Sequence, residues 1–152
     1  MIAFAPMRRR GAAFEPEQEE ILVRAIAEAE RGNRGEVRVH VERVCPHEDA
    51  MDRAAELFEA LGMSETAADT GVLLYVATES RECAVFAGEG VHGAREDGFW
   101  QGVADGLARG YRRNDPVAGF EMALLQIGAL LREAAPGEDA AGDELPNAVT
   151  TS

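Results

Sequence analysis

Cysteine is nearly missing from this chain: two residues in 152, Cys45 and Cys83. Two thiols make no disulfide framework, so a fold of this length has to be held by its core. Aromatic residues are sparse at 6%, with a single tryptophan, and 15 basic residues face 28 acidic ones. A formal net charge of −13 repels phosphate backbones and anionic lipid headgroups, which argues against nucleic acid or a membrane surface as partner. No apolar run reaches the ~18 residues that span a bilayer. The opening, MIAFAPMRRRG, places its arginines after its apolar residues, the reverse of a secretory signal. These absences set the expectation of a soluble, cytoplasmic, monomeric protein whose partners are cations or another protein.

What is present suffices for one core, since 46% of the residues are hydrophobic and the length is that of a single domain. Residues 1–13 carry Arg8, Arg9 and Arg10 without periodicity, and 137–152, GEDAAGDELPNAVTTS, is rich in Gly, Ala and acid. The expected division is a flexible N-terminal segment over 1–13, a domain over 14–136 and a disordered acidic tail over 137–152.

Within the domain, Ile21, Leu22, Ala25, Ile26 and Ala29 recur at helical spacing over 17–31, closed by Gly32. EVRVHVERV alternates Val37, Val39 and Val41 against Arg38, His40 and Glu42, the pattern of a strand with one face in solvent. Met51, Ala54, Phe58 and Leu61 mark a second amphipathic helix, stopped by Gly62. Val72–Ala77 is apolar on both faces, as in a central strand, and Ala84–Ala87 follows so closely that the two must pair antiparallel. A third helix puts Trp100, Val103, Leu107 and Tyr111 on a core-facing stripe; a fourth opens at Asp115-Pro116, an N-cap followed by a first-turn proline, and runs to Leu131. The predicted fold is α/β: a three-layer α/β/α sandwich with about four main helices and a small mixed sheet, its first two strands parallel and its last two a hairpin.

GEGVHG, residues 88–93, matches the glycine spacing of a dinucleotide-binding loop and lies between a strand and a helix. The rest of that fingerprint is missing: ARGYRRND leads into another helix where a strand bearing a ribose-binding acid is required, and Glu89 would face the pyrophosphate. The glycines are read as a sharp turn. The predicted topology also brings Glu36, Asp69, Glu89 and Asp97 to one edge of the sheet. Carboxylates so gathered repel unless a cation sits among them, and Ca²⁺ or another hard divalent ion is the expected one. The null for these acids is solvation at strand and helix ends. At the opposite edge Cys45, His47 and Cys83 form no C-x-x-C pair and make a weak zinc site. His40 is expected on the solvent face, and no Ser-His-Asp arrangement or G-x-S-x-G elbow is legible among His40, His47 and His92.

GEVRVHVE, then LFEALGM with Thr66, TGVLLYVA, GEGVH, DGFWQGV and LLREAAP, in this order over roughly 14–136, resemble the TPM domain family. The resemblance implies an α/β/α sandwich, a Ca²⁺-type metal site in some members, and acid phosphatase activity as claimed for a thylakoid lumen member serving photosystem II repair. Glu36 and Asp97 match family acids, Asp69 and Glu89 neighbour the usual positions, and Thr70 and Gly88 stand where relatives commonly carry Asn and Asp. The leading expectation is a TPM module of unassigned activity that binds a divalent cation or a protein partner at the acidic edge. Its alternatives are a metal-assisted phosphomonoesterase at that edge, and a metal-free adaptor docking through Arg38, His40 and Glu42 or through the tail.

Overall fold

The computed structural model describes residues 14–65, 68–138 and 149–152. Helix α1, Pro16–Glu30, opens on a proline and a reciprocal capping box between Glu15 and Gln18. Strand β1 is Glu36–Glu42, helix α2 Ala50–Ala60, strand β2 Gly71–Ala77 and strand β3 Glu82–Ala87. Then come α3, Glu89–His92, α4, Asp97–Arg112, and α5, Pro116–Ala134, with a last strand β4, Val149–Thr151. Gly32 and Gly62 close α1 and α2 at φ 76° and 73°, which is the left-handed turn that a glycine accepts without strain. Asp115 caps α5 by accepting the Ala118 N–H at 3.3 Å.

The sheet order is β3-β2-β1-β4. β1 and β2 run parallel with Glu36 opposite Gly71, and β2 and β3 antiparallel with Val72 opposite Ala87. β4 lies parallel on the far side of β1. Residues 149–151, expected in the loose tail, thus form a strand; their β-branched side chains suit it, but three residues are too few to show a period. The readings of 1–13 and 139–148 fall outside the described residues.

Helices α1, α4 and α5 cover one face of the sheet, where Val37, Val39 and Val41 meet Leu107, Phe120 and Ile127. Helix α2 covers the other, packing Phe58 on Leu73, Tyr75 and Phe86. Each fully buried side chain of this size contributes ~2 kcal/mol. Trp100 is buried and Tyr111 partly so, its ring edge-on to Phe120, as the helix stripe predicts.

The solvent-facing strand expected over 36–43 is not found. Arg38, His40 and Glu42 are all buried, because β4 makes β1 an interior strand and the α2 side chain Arg53 reaches over its polar face. Alternation in the sequence separates polar from apolar faces; it does not say that the polar face is wet.

Candidate functional site

The register does bring the starts of β1 and β2 and the end of β3 to one edge. The four carboxylates nonetheless go separate ways. Asp69, at φ 52°, turns its carboxylate onto the start of α3, where Oδ2 accepts the Glu89 N–H at 3.0 Å. Glu89 itself is exposed. Glu36 acts electrostatically on Arg38, and Asp97 stands almost fully exposed, 3.8 Å from His92 Nε2. Among the described residues no group of three or more His, Cys, Asp or Glu is placed to hold a metal ion. One observation fits a cation: Asp69 Oδ1 is buried and has no hydrogen-bond partner.

The glycines of GEGVHG owe their presence to that same corner. A Cβ on Gly88 would lie 2.4 Å from Asp69 Oδ1, and one on Gly90 would lie 2.1 Å from the Ala68 carbonyl oxygen. Nothing lies within 4 Å of a Cβ on Gly93. Two glycines therefore admit the 68–69 loop, and the Asp69 carboxylate takes the N–H that a nucleotide phosphate would need.

On the side of the sheet beyond β3 lies an open cavity of about 650 Å³. β3 forms its floor, the start of α2 one wall, and α4 the other. Asp49, Glu82, Asp97 and Asp105 line it, against Arg81 and His92. Trp100 lines the α4 wall, its indole N–H donating to the His92 carbonyl at 3.0 Å and its ring stacked on the His92 imidazole. The lining holds one thiol, Cys83, and burial pushes it up to about 11. A thiol kept protonated is a poor nucleophile, and no hydroxyl side chain stands among the lining residues to be activated by His92. Cys45, Cys83 and His47, the weak zinc set, do not come together among the described residues, and His47 pairs instead with Glu56 at 3.1 Å.

A polar network invisible in the sequence lies on the buried face of β1. Arg53 Nε and Nη2 donate to Glu42 Oε2 and Oε1 at 2.8 and 2.9 Å, the Tyr75 hydroxyl donates to Oε2, and the Ser152 hydroxyl donates to Oε1 at 2.7 Å. Burial pushes the Glu42 carboxyl up, but hydrogen bonds from Arg53, Tyr75 and Ser152 and the Arg53 charge outweigh it and bring the pKa down to about 2. His40 extends the chain to Ser152 at 2.8 Å and Thr150 at 2.6 Å. The pairing of β4 with β1, far apart in sequence, is what brings Thr150 and Ser152 into this set.

The geometry defines an α/β sandwich domain with a mixed sheet, an acidic groove along one sheet edge and no assembled metal centre among the described residues. The TPM domain model matches residues 9–130, and the chain belongs to the TPM domain family. Among solved structures, the BA42 protein of the psychrophilic bacterium Bizionia argentinensis is similar at 28% identity and TM-score 0.81, over 95% of this chain and 99% of that one. The N-terminal domain of a P. gingivalis protein is similar in fold, at 16% identity and TM-score 0.63, over 82% of this chain and 80% of that one. So is the N-terminal domain of the cg2496 protein of Corynebacterium glutamicum, at 11% identity and TM-score 0.61, over 87% and 79% of the two chains. No curated protein matches the sequence.

Proposed function

We propose that this TPM domain is a binding module for a protein partner, working through the acidic groove between α2 and α4 and carrying no covalent chemistry of its own. The supporting observation is the groove itself: a concave, acid-lined cavity of about 650 Å³ whose one thiol is held protonated and whose one histidine has no nucleophile beside it. Trp100, the single tryptophan, reports from the groove wall. Titrating the protein with short basic, acidic and apolar peptides should shift Trp100 emission for at least one class. Silence from all three defeats the reading, and hydrolysis of p-nitrophenyl phosphate that tracks protein concentration and stops with chelator favours the phosphomonoesterase instead.

A second reading rests on the unpartnered Asp69 Oδ1, which a Ca²⁺-type cation would satisfy. The four-carboxylate set does not support it, so the site would draw on Asp69, with Glu89 nearby, backbone carbonyls and water. Calorimetry with Ca²⁺ tests it: binding heat lost in Asp69→Asn sustains the cation, and a flat titration removes it.

A further inference from the structure

Among the described residues, the outer edge of β3 has no hydrogen-bonding partner. Gly88 N–H donates to the Gly71 carbonyl at 2.9 Å, which fixes the phase of the β2-β3 ladder. In an antiparallel pair, alternate residues turn both backbone groups to the partner. With Gly71 and Gly88 bonded, the register gives the bonds to β2 to Phe86, Ala84 and Glu82, and points the N–H and C=O of Cys83, Val85 and Ala87 away from it, at the groove. No hydrogen bond between described residues reaches those outward groups. Val85 is 3% and Ala87 6% exposed as whole residues, and their outward backbone groups open onto the groove, where a partner strand would supply the bonds that water must otherwise make.

The usual protections of a sheet edge are missing as well. ECAVFA contains no proline, no lysine and no glycine, and its only charge is at its first residue. Among the described residues the edge is sheltered laterally, by the start of α2 and by α4, which leaves a slot along the strand. Acids stand on both sides of it: Asp49 on the α2 wall, Asp97 and Asp105 on the α4 wall, Glu82 at one end. Side chains of an added strand would point alternately to the two walls, so basic residues in either phase meet carboxylates.

We propose that β3 accepts an extended, basic peptide segment of a partner protein as a fifth strand of the sheet, Cys83, Val85 and Ala87 giving the backbone hydrogen bonds and the acidic walls selecting its charge. This deepens the binding-module reading and rests on it. The chain's own sheet offers a precedent for a short strand completing an edge, in β4 on β1.

The test uses the full chain and two hexapeptides, Lys-Val-Lys-Val-Lys-Val and its Glu-for-Lys counterpart. At ligand about ten times Kd, the basic peptide should shift Trp100 emission and slow amide exchange at Val85 and Ala87 about tenfold. The acidic peptide should do neither. Replacing Asp97 and Asp105 together by Asn should weaken the basic peptide about fivefold while far-ultraviolet circular dichroism stays unchanged, and raised salt should weaken it similarly. A Trp100 shift without slowed exchange at Val85 and Ala87 overturns strand addition but keeps the groove as a binding site. A response to the acidic peptide alone overturns the proposed charge selection, and no response to either peptide overturns both this proposal and the module reading beneath it.

Discussion

His40 Nδ1 lies 2.6 Å from the Thr150 hydroxyl, on a register that pairs these two residues across β1 and β4. The proton arrangement follows from the far end of the network. Glu42 is an acceptor, so Ser152 donates to it and receives the Nε2–H of His40; in the neutral ring Nδ1 then accepts from the Thr150 hydroxyl. Burial favours that neutral form of the imidazole. Burial lowers its pKa, with the Glu42 charge opposing and the Arg53 charge reinforcing.

Neutral His40 makes stability depend on pH. The unfolded chain takes up the imidazole proton near pH ~6.5, above the folded pKa, so it binds more protons in that window and stability falls as pH drops through it. Urea midpoints should decrease from pH 7.5 to 5.5. His40→Gln, whose amide can donate and accept at about the same places, should lessen the decrease; an identical slope in the variant rejects this assignment.

Glu42 behaves differently, because its folded pKa of about 2 lies below that of a free carboxyl. Its contribution is complete above the unfolded value of ~4.3 and is lost as pH falls towards 2. Glu42→Gln removes the charge facing Arg53 in a setting where the side chains are 7% and 18% exposed, and should cost about 3 kcal/mol by urea denaturation at pH 7. Less than 1 kcal/mol would show that the pair is more solvated than the structure has it.

Gly90→Ala sets a methyl against the Ala68 carbonyl and should cost ~2 kcal/mol, whereas Gly93→Ala, with open space around it, should stay within ~0.5 kcal/mol. Thermal melts of the two separate the turn role from a general loss of loop freedom. Equal effects would contradict the close approach.

Asp115→Ala leaves the Ala118 N–H without its acceptor at the start of α5 and should lower stability by ~1 kcal/mol. Because α5 packs on both α1 and α4, the loss should appear as a single cooperative shift in melting temperature. A separate early transition would show α5 fraying alone.

How far the fold was legible follows from the range of each signal. Helices and strands announce themselves locally: Gly32 and Gly62 ended the helices they were expected to end, and Asp115-Pro116 opened α5. The hairpin of β2 and β3 followed from the few residues between two apolar runs, too short for any other connection. β4 was missed because three β-branched residues in an acid-rich stretch carry no period. With it went the burial of His40 and the linkage of Glu42 to Ser152, 110 residues along the chain.

The sequence alone settled the α/β class, the parallel and antiparallel pairings and the common edge of Glu36, Asp69 and Glu89, since these depend on periodicity, connection length and strand direction. Tertiary structure decided where these carboxylates point: Asp69 turns inward to the Glu89 N–H, and Asp97 stands 3.8 Å from His92 Nε2. A strand end fixes a backbone position to within a residue, but a side chain's direction depends on the backbone dihedral there and on what competes for its oxygens, and both are set by neighbours distant in sequence.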